Sequence, residues 1–411
     1  MSLKTTDRQI FELIEAEKAR QSQTINLIPS ENYTSPAVLQ ALGSVLTNKY
    51  SEGYPGMRYY SGNQFVDKIE EICQERAKKL FKVKYANVQP YSGSPANMAV
   101  YFALLEPGDT IMGMKLSHGG HLTHGHPKIT FSGRFYNSVQ YTVDPETNLL
   151  NYEEIGKLAR KVKPKLIIAG YSAYPRIVDW KAFSEIGKST GAYLLADVAH
   201  IAGLIVAGVH PSPVGYADII TTTTHKTLRG PRGAIIMTNN EELASKIDRA
   251  VFPGLQGGPH DQQTAAIAVC LAEAAKPEFK KYGEQVVANA RELAEYLSNF
   301  GFNLVTGGTD THLILVDLRN KGISGKEAQD ALEQAGITVN KNTIPFDSAP
   351  PAAPSGIRLG TPAVTTRGMK EGQMKTIAGC IDEVIKNTKD KSVIKRIRSE
   401  VKEFLKSFPI K

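Results

Sequence analysis

Short apolar runs recur along the middle of this chain: Ala86–Gln89, Thr110–Met114, Leu166–Tyr171, Ala192–Val198, Ile219–Thr223 and Ala234–Thr238. They alternate with segments patterned as amphipathic helices, among them Pro95–Leu105, Tyr152–Val162 and Trp180–Ser189. Strands alternating with helices predict right-handed crossovers and a mostly parallel sheet covered on both faces, an α/β core. Upstream lie an N-terminal helix, a stretch rich in turn formers and tyrosines (Asn26–Gln64) and a helical run over Phe65–Phe81. From about Pro277 the texture changes to a long helical pattern (Glu278–Phe300), apolar runs at Gly301–Val305 and His312–Val316, a helix over Gly325–Ala335 and a Pro/Ala-rich loop at Pro345–Pro354. This divides the chain into an N-terminal arm (1–84), a large α/β domain (85–277) and a smaller C-terminal α+β domain (278–411).

The length of 411 residues, with 41% apolar and 22% charged residues, suits a globular protein of two or three domains. No apolar stretch approaches the ~18 residues of a bilayer span, and the first twenty residues lack the uninterrupted apolar region of a signal peptide. Cys73, Cys270 and Cys380 are odd in number and far apart, which fits neither a disulfide framework nor a metal knuckle and points to a reducing, cytoplasmic location. The formal charge of +8 is concentrated at one end: residues 386–411 carry nine Lys/Arg against three acidic residues. Val393, Ile394, Ile397, Val401, Phe404, Leu405 and Phe408 recur there at helical spacing, so this segment reads as an amphipathic helix docked by one face with its basic face solvated. With the remainder nearly neutral and no nucleic-acid-binding motif, a nucleic-acid partner is not expected.

In an open parallel sheet ligands bind beyond the carboxyl ends of the strands, which makes the residues after each apolar run the ones to inspect. After Ala86–Gln89 comes Ser92-Gly93-Ser94-Pro95; with Ser94 as N-cap and Pro95 as the first helical residue, this reads as a helix start that can receive an anion. After Tyr193–Ala196 comes Asp197, a carboxylate costly to bury without a cationic or protonated partner, with His200 three residues on. The strand Ile219–Thr223 runs into Thr224-His225-Lys226-Thr227-Leu228-Arg229-Gly230. A lysine there is partly desolvated, and burial lowers its pKa and frees the amine as a nucleophile toward a carbonyl. An anion-binding helix start, an Asp at one strand end and a Lys at another are what a phosphorylated pyridine aldehyde, pyridoxal phosphate, requires.

These residues resemble the serine hydroxymethyltransferase family. Thr221–Gly233 is similar to the family's lysine motif. Ile28–Ser35 and Thr47–Gly56 resemble its substrate segment, and His118–Gly125, Ser172-Ala173-Tyr174, Val251–Gly254, Gln256–Pro259 and Gly356–Pro362 follow in the family's order. The resemblance implies an aspartate-aminotransferase-like fold of the pyridoxal-phosphate enzymes. It also implies reversible transfer of the hydroxymethyl carbon of L-serine to tetrahydrofolate, giving glycine and 5,10-methylenetetrahydrofolate, with 3-hydroxy amino acid aldol cleavage as a side activity. Lys226 would carry the cofactor, Asp197 would face its ring nitrogen, and Ser92, Gly93, Ser94 and His225 would surround its phosphate. His121 would stack on the ring, with Ser172 and His200 near its 3-hydroxyl. Tyr50 and Gly258 would come from the partner subunit of a homodimer with shared active sites. Arg358 would clamp the substrate carboxylate, Ser30 and Tyr60 would line the substrate site, and Glu52 would be the acid/base near the hydroxymethyl group. Leu116, Gly120, Leu122 and Asn342 correspond to folate contacts.

Met57, Ser61 and Leu255 depart from the family's usual residues, and the Phe346–Pro354 loop is unusually rich in Pro and Ala. His118, His121, His124 and His126 lack the carboxylate or cysteine company of a metal centre, so no metal is expected. Two rival readings are a cofactor-dependent aldolase that does not use folate and a basic nucleic-acid-binding protein acting through the 386–411 helix; the near-neutral remainder and the absence of a binding motif argue against the second.

Overall fold

The structure is a computed structural model and describes residues 2–410. Its centre is a seven-stranded sheet of β1 (Tyr85–Asn87), β2 (Thr110–Met114), β3 (Asn137–Tyr141), β4 (Leu166–Gly170), β5 (Tyr193–Asp197), β6 (Ile219–Thr223) and β7 (Ala234–Thr238), in the spatial order β1-β7-β6-β5-β4-β2-β3. The five strands from β6 to β3 are parallel, while β7 runs antiparallel to both β6 and β1. β1 therefore points the same way as the parallel set, and the carboxyl ends of six strands share one edge.

The strand residues alternate between two cores, as a sheet buried on both faces requires. Met112, Ile167, Ala169, Leu194, Ala196 and Ile220 pack on one side; Ile111, Leu166, Ile168, Leu195 and Ile219 pack on the other. Helices predicted from periodicity are present: Tyr152–Val162 is capped by Asn151, and Trp180–Thr190 is capped by Asp179 and stopped by Gly191 in the left-handed region. β3 was not among the predicted strands. It is the edge strand, only partly buried along most of its length, and Asn137-Ser138-Val139-Gln140-Tyr141 carries no apolar run to betray it.

A second sheet holds β8 (Asn303–Leu304), β9 (Leu313–Asp317), β10 (Asn340–Asn342) and β11 (Gly356–Gly360), antiparallel in the order β8-β9-β11-β10. Its core takes Ile314, Val316, Ile357 and Leu359, one face of the long helix Pro277–Asn299, and Ile25 and Leu27 from the N-terminal region. Ile25–Asn26 pairs in parallel with Ile337–Thr338, so the arm is stitched to this second core. The C-terminal helix Lys391–Leu405 buries Ile394, Ile397, Val401 and Leu405, and Arg396 on its outer face pairs with Glu383 and Glu400. Among the described residues no helix is long and apolar enough to cross a membrane.

Candidate active site

A cavity of about 380 Å³ opens at the shared carboxyl edge of the large sheet, within the range of small-molecule sites. Ser30, Ser92, Gly93, Ser94, His121, Ser172, Asp197, His200, His225, Lys226 and Arg358 all line it. These eleven come from seven separated stretches of chain, six of them brought together because β1, β2, β4, β5, β6 and β11 end or pass there, and the seventh, Ser30, from the N-terminal arm.

Lys226 sits in a turn held by hydroxyl groups. Thr224 Oγ1 donates to the carbonyl of Pro231 (2.6 Å), Gly230 N to the carbonyl of Thr224 (2.7 Å), and Thr227 Oγ1 to the carbonyl of His200 (2.9 Å). Asn32 Nδ2 closes the turn on the carbonyl of Lys226 itself (3.0 Å). The lysine is 9% exposed. Burial pushes its pKa down to about 8 against the opposing pull of Asp197, which leaves an appreciable neutral fraction near neutral pH.

Asp197, at the end of β5, accepts three hydrogen bonds: from Asn97 Nδ2 (2.9 Å) and His124 Nε2 (2.9 Å) on Oδ2, and from Ala199 N (3.1 Å) on Oδ1. Burial alone would raise its pKa, but these bonds, His124's first, outweigh burial and hold it well below the usual carboxylate range. A carboxylate offers about four acceptor positions, so one remains for a protonated ring nitrogen in the cavity. Asn97 is itself fixed by Thr221 Oγ1, which donates to its carbonyl oxygen (2.8 Å). Neither Asn97 nor His124 was among the predicted site residues. The one polar letter inside Ala96-Asn97-Met98-Ala99-Val100 was the available signal for Asn97.

The helix over Gly93–Leu104 begins two residues earlier than the sequence suggested. Ser92, not Ser94, is the N-cap, and Pro95 lies in the third helical position. Gly93 permits this start, since a Cβ there would stand 2.7 Å from Thr223 Cγ2. The Ser92 side chain makes no capping bond, so its hydroxyl and the first-turn N–H groups remain available to an anion. His225 Nδ1 is buried without a partner nearby, and burial pushes that ring down to about 3, so it is neutral. At His121, Thr123 N donates to Nδ1 (3.2 Å), which puts the proton on Nε2; burial lowers this ring to about 4.

Arg358, on β11, donates through Nε to Asn340 Oδ1 (3.0 Å) and through Nη1 to the carbonyl of Ser172. Its Nη2 has no protein partner, and among the described residues no carboxylate pairs with it. Burial lowers its pKa to about 10, which leaves it charged at neutral pH. A half-buried cation on a cavity wall without an anion is a strong indication of an anionic ligand. Arg232 and Glu31, which the sequence reading did not single out, also line the cavity.

Tyr50, Glu52, Tyr60 and Gly258 do not line this cavity within one chain. They form a second group. The Tyr50 and Tyr60 rings lie 5.2 Å apart edge to face, Tyr50 Oη donates to Glu52 Oε1 (3.3 Å), and a Cβ on Gly258 would meet the Tyr50 ring at 3.0 Å. The family resemblance leaves open which subunit supplies Glu52 and Tyr60; within one chain neither reaches the cavity that holds Lys226. Their loop is held rigidly: Arg58 Nη1 donates to the carbonyls of Ser51 (2.8 Å) and Gly53 (2.7 Å), on either side of Glu52, while its Nη2 pairs with buried Glu70 (2.6 Å). Of the predicted folate contacts, Leu116 and Gly120 lie in the loop after β2, Leu122 is exposed on the same loop, and Asn342 is on β10; none is on the cavity wall. Phe346, from the Pro/Ala-rich loop, packs edge-on against His118 of that first loop at 4.6 Å.

The fit to pyridoxal phosphate rests on this donor set: a buried amine, a carboxylate with one open acceptor position and a helix start with a free hydroxyl, with an unpaired guanidinium left over for a substrate anion. Comparison with known proteins agrees. The family model described as "Serine hydroxymethyltransferase" matches residues 3–381. A serine hydroxymethyltransferase of Acidothermus cellulolyticus is 58% identical over 414 aligned residues, covering 99% of this chain and 96% of that protein. One of Desulfotalea psychrophila is 57% identical over 408, covering 99% and 95%. The chain belongs to the serine hydroxymethyltransferase family.

Proposed function

We propose that this protein transfers the hydroxymethyl carbon of L-serine to tetrahydrofolate, forming glycine and 5,10-methylenetetrahydrofolate, with pyridoxal phosphate held in the cavity at the carboxyl edge of the sheet. The observation that carries this reading is the pair of cations without a carboxylate partner, buried Lys226 and half-buried Arg358, facing one cavity with Asp197. When bound, the cofactor supplies an aldehyde to which amines add and a ring that takes up the electron pair released at the amino acid's α-carbon.

The chain's own residues divide the remaining work. Lys226, with its amine partly neutral, would hold the cofactor as the nucleophile toward its aldehyde. Asp197, kept ionised by Asn97 and His124, holds a proton on the ring nitrogen. Ser92, Gly93, Ser94 and His225 would hold the phosphate, His121 would lie against the ring, and Ser172 and His200 would hold its oxygen. Arg358 binds the substrate carboxylate through its free Nη2, and Ser30 lines the substrate pocket. Tyr50, Glu52, Tyr60 and Gly258 serve the partner subunit's cavity in a homodimer, a reading supported by their clustering away from Lys226 and by the exposure of Tyr50 and Tyr60 at 53% and 49%. Glu52 then moves the proton of the hydroxymethyl oxygen. Leu116, Gly120, Leu122 and Asn342 contact the folate. Three free cysteines accord with work in the cytosol.

Serine cleavage assayed with and without tetrahydrofolate tests the reading. It predicts that glycine and methylenetetrahydrofolate appear together and that serine cleavage needs the folate. Equal serine cleavage without folate would favour the aldolase instead.

A further inference from the structure

His200 and His312 form a buried pair between the two sheets. His200 Nδ1 lies 3.3 Å from His312 Nε2, the rings are 5.5 Å apart at 25°, and the residues are 5% and 0% exposed. His312 stands just before β9, where its carbonyl accepts from Thr361 N (3.1 Å), one residue past β11. The strand pair that delivers Arg358 to the cavity therefore delivers His312 as well. The segment before it is braced: Thr309 Oγ1 donates to the carbonyl of Leu313 (2.6 Å), and Arg176 pairs with Asp310 (3.0 Å).

Both rings are neutral, because burial and the nearby cations Lys226 and Arg358 depress them, His312 to about 3. One proton is therefore shared across the N···N contact, and either ring could supply it. If His200 donated, the proton of His312 would sit on Nδ1, which is buried with no partner, leaving an orphaned N–H. If His312 donates, the same Nδ1 is a bare lone pair. Orphaned buried donors are rarer than under-used acceptors, so the second arrangement is favoured. His200 must then carry its own proton on Nε2, which has no protein partner, in a ring that lines the cavity.

We propose that His312 is a positioning residue of this site: it donates Nε2–H to Nδ1 of His200 and thereby fixes His200 as a hydrogen-bond donor toward an oxygen of the ligand in the cavity. This rests on the cavity being the cofactor site, but the tautomer can be read without cofactor.

The test is a long-range proton–nitrogen correlation spectrum of the full-length protein labelled with 15N-histidine, recorded with and without pyridoxal phosphate. The His200 signals are identified by their loss in His200→Asn. The expected result is a protonated Nε2 and a bare Nδ1 at His200 in both forms; a protonated Nδ1 would overturn the proposal. His312→Leu should give a mixture of His200 tautomers, and His312→Gln, whose amide can donate from the same place, should restore the single form. An unchanged pattern in His312→Leu would also overturn it. Should that variant not fold, the wild-type spectrum still decides. A protein that shows the expected tautomer but takes up no cofactor would defeat the reading of the cavity and leave the histidine pair intact.

Discussion

Asn97 and Asp197 are 100 residues apart in the chain and 2.9 Å apart in space, amide nitrogen to carboxylate oxygen. The contact joins the first turns of the helix after β1 to the end of β5, and Thr221 on β6 fixes the amide from its other side. Three neighbouring elements thus aim one carboxylate into the cavity.

Removing the amide should loosen that aim. A hydrogen bond to a charged group contributes roughly 1.5–3 kcal/mol, so Asn97→Ala should weaken pyridoxal phosphate binding by about tenfold or more. A cofactor titration followed by absorbance measures this, and an unchanged Kd would remove Asn97 from any role in holding Asp197.

Arg358 should matter to the amino acid and not to the cofactor, since its free Nη2 is assigned to the substrate carboxylate. Losing a buried charge-assisted contact costs about 2–5 kcal/mol, so Arg358→Ala should weaken glycine and serine binding by well over tenfold with cofactor affinity unchanged. Unaltered glycine affinity in the variant would contradict the assignment.

Why some of this was legible in the sequence and some was not follows from the forces involved. Buried strands such as Ile219–Thr223 must be apolar and short, so they announced themselves, as did Asp197 and Lys226 at the strand ends. Asn97, His124 and His312 act through contacts 73 to 112 residues distant in sequence, and a polar letter in an apolar stretch does not say which partner satisfies it. The Ser94 cap was misplaced because Pro95 is tolerated anywhere in the first helical turn, where its missing N–H has no partner to lose. Tyr50 and Glu52 were identified by motif alone; where they sit depends on the Arg58–Glu70 pair, which local spacing does not reveal.

The buried neutral histidines set an acid limit. His121, His225 and His312 have pKa values lowered to about 4, 3 and 3, against ~6.5 for an exposed histidine. Above that unfolded value they bring no penalty; as pH falls from there toward their folded values, the unfolded chain binds more protons, and stability drops by up to about 1.4 kcal/mol per pH unit for each. Urea unfolding of the cofactor-free protein should show the midpoint falling between about pH 7.5 and 5.5, before most carboxylates titrate. A flat midpoint across that window would contradict the neutral core.

Sharing of sites across a dimer can be read by complementation. Lys226→Ala and Glu52→Ala homodimers should each be inactive in serine cleavage. In a twofold dimer, random mixing would place both lesions in one site of each heterodimer and leave the other intact, restoring about a quarter of wild-type activity. No recovery in verified heterodimers would place Glu52 and Lys226 of the same chain in one site.

The attachment of the cofactor at Lys226 is tested most directly by reducing the loaded protein with borohydride and mapping the peptides. The phosphopyridoxyl group should be found on Lys226 and nowhere else, and Lys226→Ala should carry none. The label on any other lysine would contradict the assignment of the cavity.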